Sequence, residues 1–118
     1  MNVLSIGVYY VRYYIEDQCF YLMGRTDVPD EQRMLSIKLG KTKESAIQTL
    51  NDLKNLDNKE KDLFVEGKDG IKVRIFYFNS LFIKTYGFES EGISGKCWLN
   101  NIDFKKAIKK VEGWQGSK

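Results

Sequence analysis

A chain of 118 residues, 42% hydrophobic, 14% aromatic and 30% charged, has the size of one domain and enough apolar material to bury about two-thirds of its unfolded surface without metal or disulfide support. Such a composition excludes a disordered chain. The absence of histidine removes Ser-His-Asp and Cys-His nucleophile systems, histidine zinc sites and a general base poised near neutral pH. Nineteen basic residues against sixteen acidic ones leave a formal charge of +3, too mild an excess to mark a nucleic-acid binder by itself.

Met1 to Val8 has no basic n-region and no small-residue cleavage site, so a secretory signal is not expected. No stretch approaches the roughly 20 apolar residues of a membrane span. The expected setting is the cytoplasm, in keeping with only two cysteines, Cys19 and Cys97. They are too few for a structural zinc site and too far apart for a Cys-x-x-Cys pair. Each sits beside aromatic residues and reads as a small buried hydrophobe.

Val3 to Ile15 is β-branched and aromatic almost throughout, and after Glu16-Asp17-Gln18 the pattern resumes over Cys19 to Arg25, which predicts a hairpin. Alternation places Leu4, Ile6, Val8, Tyr10 and Tyr14 with Arg12 on one strand face and Tyr9, Val11, Tyr13 and Ile15 on the other. Both faces are apolar or aromatic. The strand is therefore covered on both sides, or it offers a row of tyrosines to a partner. Thr26 to Gln32, with the single proline Pro29, reads as a surface loop. Met34 to Leu39 then alternates with Leu35, Ile37 and Leu39 inward. Thr42 is a plausible N-cap and Glu44 suits the first turn of a helix over Lys43 to Asn55, whose Ala46, Ile47, Leu50 and Leu53 form an apolar stripe.

After a charged connector, Leu56 to Asp62, four short strands are predicted at Leu63 to Glu66, Ile71 to Phe78, Leu81 to Tyr86 and Lys96 to Leu99. Gly67-Lys68-Asp69-Gly70 supplies the positive φ of a tight turn. Gly87 to Gly95, with three glycines and two acids, reads as a loop. Asn100 or Asn101 caps a last helix with Phe104, Ala107, Ile108 and Val111 inward, Lys105, Lys106, Lys109 and Lys110 outward and Gly113 as its stop. Runs of strands closed by helices predict an α+β fold: antiparallel sheet of about six to seven strands with two helices, in the order βββα-ββββα. Residues 1–118 then make a single domain, with an imperfect repeat of 1–56 and 63–113.

Candidate chemistry is thin. Gly40-Lys41-Thr42 lies where a Walker loop would end, but Leu35 stands where the loop's first glycine is needed, so an ordinary strand-to-helix turn is the better reading. Gly92-Ile93-Ser94-Gly95-Lys96 fails likewise, with Ser90 and Cys97 at the two diagnostic positions. Lys84-Thr85-Tyr86-Gly87-Phe88 matches the ribonucleoprotein sheet motif only in part, since Thr85 interrupts it and Glu89 replaces a valine. The acidic pairs Glu16-Asp17, Asp30-Glu31, Glu60 with Asp62 and Glu89 with Glu91 all fall in predicted loops, where solvation keeps carboxylates ordinary. No cofactor or metal is expected, and the chain does not read as an enzyme.

Two binding surfaces compete. Tyr9, Tyr10, Tyr13, Tyr14 and Tyr21 cluster in one hairpin and exceed what a small core needs; tyrosine gives large contact area at little rotamer entropy. They would dock a protein partner. Alternatively Lys72, Arg74, Phe76, Phe82 and Lys84 form a basic-aromatic sheet face, core if covered and a stacking platform for unpaired bases if open, with Lys105, Lys106, Lys109 and Lys110 as further phosphate contacts or simply a solvated helix face. In element order this arrangement resembles single-stranded DNA binders of the Whirly and PUR type, built on ββββα units, which implies nucleic acid on an open sheet. Fifteen lysines to four arginines, with ten isoleucines and seven asparagines, match the usage of an AT-rich genome. The expected function is a non-catalytic binding protein, of phage or mobile-element kind, that modulates host nucleic-acid machinery in the manner of anti-CRISPR proteins; single-stranded nucleic-acid binding is the alternative. A long apolar first strand at an edge would also pair with its own copy, giving a homodimer.

Overall fold

Three strands and a helix are followed by four strands and a helix: β1 Tyr9–Tyr14, β2 Cys19–Arg25, β3 Met34–Gly40, α1 Lys43–Lys54, β4 Leu63–Glu66, β5 Lys72–Ser80, β6 Ile83–Ser90, β7 Ile93–Asn100 and α2 Asn101–Glu112. This computed structural model describes residues 9–28, 33–56, 63–80 and 83–114; the side chains of Tyr10, Ser80 and Ser94 lie outside that set. All strands pair antiparallel with their chain neighbours, in one sheet of order β1-β2-β3 and one of order β4-β5-β6-β7. The fold is α+β in the order expected. Val3 to Val8, Pro29, the connector from Asp57 to Asp62, and the Leu81-Phe82 step fall outside the described residues.

Both helices begin as their caps dictate. Thr42 Oγ1 accepts the Ser45 N–H at 3.0 Å while Ser45 Oγ accepts the Thr42 N–H at 3.1 Å. In α2, Asn100 Oδ1 and the Asp103 carboxylate exchange the same pair of bonds, both at 2.9 Å. Each reciprocal box satisfies two donors that the first turn would otherwise leave orphaned. Gly113 is the C-cap of α2. Lys43 Nζ donates to the Glu112 carbonyl at 3.3 Å, whereas Lys54 and Lys105 line one recess. The start of α1 therefore meets the end of α2, and the helices run antiparallel.

One core collects the inward residues of every layer: Leu22, Leu35, Ile37 and Leu39 from the first sheet, Val73, Ile75, Tyr86, Phe88 and Leu99 from the second, Leu50 and Leu53 from α1, and Phe104, Ala107 and Val111 from α2. Fully burying each of the large aliphatic or aromatic side chains is worth about 1.5–3 kcal/mol. Phe104 stands edge-on to Tyr86 with centroids 4.6 Å apart, which seats α2 on the inner face of β6. The opposite face of the second sheet points away from both helices.

Two expectations are corrected. Gly87 to Gly95 is not a loop: β6 runs to Ser90, β7 starts at Ile93, and only Glu91-Gly92 turns. The glycines serve the sheet. Gly87 passes beneath the Phe76 ring, and Gly92 and Gly95 take φ of 84°, where a side chain would be strained. Ile15 does not continue the first strand inward; it sits in the β1–β2 turn and is 80% exposed.

Candidate functional site

The tyrosine hairpin is spent largely on the chain itself. Tyr21 is only 1% exposed; its hydroxyl donates to Asp17 Oδ2 at 2.8 Å and its ring meets Tyr14 edge-on at 5.4 Å. Burial pushes the Tyr21 hydroxyl well above its ordinary pKa, and the bond from Tyr21 holds the Asp17 carboxyl below the usual range. Lys68 closes this corner, 3.4 Å from Asp17 Oδ2 and 4.6 Å above the Tyr14 ring. On the other face of β1, Tyr13 packs edge-on to Phe20 at 4.9 Å and against Trp114 at 6.3 Å, while the half-buried Tyr9 hydroxyl reaches the Asp103 carbonyl at 3.4 Å. An open row of tyrosines is thus not what forms. α2 covers one face, and Lys68 covers the Tyr14 and Tyr21 rings on the other, where Arg12 stays exposed, so Tyr21 offers almost no contact area and Tyr9, Tyr13 and Tyr14 offer part of theirs. The Tyr10 side chain is outside the described set.

The basic-aromatic residues divide among three places. Lys72, Arg74, Phe76 and Phe78 share the outer face of β5, as alternation requires. Lys84 lies on the inner side instead: its ammonium donates to the carbonyls of Lys54 and Leu56 at the end of α1 and sits 4.3 Å above the Tyr77 ring. Tyr86 beside it is fully buried, with its hydroxyl on the Lys54 carbonyl and its pKa pushed up to about 12 by that burial. Lys105, Lys106, Lys109 and Lys110 line the solvent side of α2, across the sheet and helix layers from Phe76. Phe82 is outside the described residues. A single surface made of all nine does not exist.

The outer face of the second sheet carries several exposed apolar side chains among the described residues. Phe64 is 53% exposed and Phe78 48%, with Ile71 and Ile83 also open. Trp98, on β7, stands edge-on to Phe76 at 5.8 Å and to Phe78 at 6.2 Å. Its indole N–H donates to Asp27 Oδ2 at 2.9 Å, and Asp27 Oδ1 accepts the Lys96 N–H at the same distance. That backbone bond is the main reason the Asp27 carboxyl is held below its usual range. Trp98 is therefore held by two ring contacts and by its nitrogen. Arg74 pairs with Glu89, with its guanidinium 4.8 Å from the Phe76 centroid; Lys96 reaches the other Glu89 oxygen at 3.6 Å. Lys72 covers the Phe64 ring at 5.7 Å. At this end a groove of about 760 Å³ opens between Phe64, Ile71, Arg74 and Glu89.

Glu89, read from sequence as a loop acid, is thus a half-buried strand residue bound by two cations. Phe64 and Trp98 were not singled out, yet alternation against Leu63 and Val65, and against Cys97 and Leu99, marks both as outward. Asp27 has no local signal, because only the tertiary fold brings it to Trp98. Neither cysteine belongs to the face. Both are buried and free, and burial pushes the Cys97 thiol up to about 12, far from a reactive thiolate. No helix among the described residues is long and apolar enough to cross a membrane. No protein-family model matches the chain, no curated protein matches it in sequence, and no solved structure matches it.

Proposed function

We propose that the chain is a non-catalytic binding protein that docks on a protein partner through the outer face of its second sheet. One observation carries the reading: large apolar rings stay open to solvent on a face where one carboxylate, Glu89, already holds the arginine and a lysine beside them. Phe64, Phe76, Phe78 and Trp98 supply the apolar centre, and beside it Glu89 holds both Arg74 and Lys96. Phosphate gains little from cations that a carboxylate already holds, whereas aromatic rings and arginine are the residue types that dominate protein interfaces. Contiguous exposed apolar patches of this kind are uncommon on monomers that bind nothing. The short length and AT-rich residue usage fit a phage or mobile-element accessory protein, and the role proposed for it is to obstruct host nucleic-acid machinery in the cytoplasm.

Photo-crosslinking tests it. A benzoyl-phenylalanine replacing Phe78 yields a discrete protein adduct in cells of the source organism, the same probe replacing Ile15 yields none, and Phe64→Glu removes the Phe78 adduct. Loss of one buried aromatic anchor should weaken such a complex by about 2 kcal/mol, roughly 30-fold. An adduct from Ile15 alone overturns the reading. So does quenching of Trp98 by an unpaired oligonucleotide, which would give the face to nucleic acid, or a dimer in sedimentation that Phe78→Glu disperses, which would give it to a second copy.

A further inference from the structure

The twelve residues of α2 carry four lysines against two acids, so +2 of the chain's formal +3 resides there. Lys105, Lys106, Lys109 and Lys110 are all exposed. They form two columns of like charge four residues apart, Lys105–Lys109 and Lys106–Lys110, an arrangement that costs a helix about 0.2–0.5 kcal/mol per pair. Neither acid relieves it: the Asp103 carboxylate is taken by the Asn100 N–H, and Glu112 makes no ion pair with these lysines among the described residues. The helix dipole favours cations in the last turn only, which accounts for Lys109 and Lys110 and leaves Lys105 and Lys106 unexplained. On the second sheet, by contrast, Arg74 and Lys96 both meet Glu89. On α2, Lys105, Lys106, Lys109 and Lys110 thus form a local cluster of positive charge that no carboxylate among the described residues pairs.

We infer that this face of α2 takes the phosphate backbone of a nucleic-acid duplex. Lysines four apart on a helix are about 6 Å apart along its axis, close to the roughly 6.8 Å that two nucleotides advance along one strand of a duplex. Each column can thus meet alternate phosphates. An anionic membrane is the poorer occupant, since an interfacial helix inserts its apolar side and here Phe104, Ala107 and Val111 are sealed in the core. Acidic protein is poorer too, because lysine is depleted at protein interfaces. The sheet face and the lysine face look in opposite directions, so one molecule holds a protein on one side and nucleic acid on the other, and the fitting partner is a protein that itself works on nucleic acid.

Anisotropy of a labelled mixed-sequence duplex tests this with the full chain. Binding is expected at low salt, falling as salt rises with a slope of about −0.9 per phosphate contacted, three or four in all. Lys106→Glu with Lys109→Glu abolishes it, while Lys106→Arg with Lys109→Arg retains it. Phe78→Glu leaves it unchanged, so failure here and failure of the protein-docking reading are separate results. Absence of binding at low salt, indifference to the double reversal, or equal retention on phosphatidylserine vesicles would each overturn the assignment.

Discussion

The Phe76 ring rests directly on Gly87, and Gly87→Ala measures how firmly. A β-carbon at position 87 would lie 2.6 Å from Phe76 Cε2 and closer still to Cζ, against about 3.5–4.0 Å for an ordinary carbon contact. The ring has little room to yield, because Trp98 stands against it at 5.8 Å and the Arg74 guanidinium lies over it at 4.8 Å. Overpacking of this sort costs about 1–3 kcal/mol. Replacing a strand glycine by alanine returns about 0.5–1 kcal/mol of backbone entropy. The net loss should be about 1–2 kcal/mol, a fall in Tm of roughly 4 °C per kcal/mol at this chain length. Urea unfolding followed by tryptophan fluorescence reads it, in the wild type and in a Phe76→Ala background. With the ring gone, Gly87→Ala should stabilise by about 0.5 kcal/mol, giving a coupling near 2 kcal/mol. Equal cost in both backgrounds would show that the ring does not lie on the glycine, and the account of the outer face would fall with it.

Two further outcomes follow from the inner side. Lys84→Met leaves the Leu56 carbonyl, just past α1, without its ammonium donor, while Tyr86 still holds the Lys54 carbonyl, and should cost about 1.5–3 kcal/mol; amide exchange at the end of α1 should quicken, and an unchanged rate there would refute the clamp. Tyr21→Phe removes the main group that holds the Asp17 carboxyl low. A carboxyl depressed in the folded state stabilises above its unfolded value of about 3.9 and loses that contribution as pH falls through the folded value. The acid decline of the urea midpoint should therefore be shallower in Tyr21→Phe than in the wild type; parallel declines would sever the Tyr21–Asp17 link.

Element order, both helix caps and the four-lysine face of α2 were legible along the chain. Each depends on spacing within a few residues: Thr42 and Asn100 bond donors three positions on, and the stripe Phe104, Ala107, Val111 leaves its lysines nowhere to point but outward. The glycine-rich stretch after Tyr86 was misread because Gly87 answers to Phe76, a cross-strand neighbour eleven positions earlier. Turn chemistry and ring packing call for the same residue.

Alternation sorts a strand's side chains into two sets, and it is silent on which set a helix will cover. In β1 both sets carry aromatic rings, so neither face declared itself, and only the seating of α2 and of Lys68 put Tyr9, Tyr13 and Tyr14 partly to internal use. In β5 the sets were Lys72, Arg74, Phe76 and Phe78 against Val73, Ile75 and Tyr77, each with large rings. Docking of the helices on the second set left the first in water. Coverage is a contest between whole layers for buried area, decided by contacts far apart in sequence, and the working surface of this protein is whatever that contest left open.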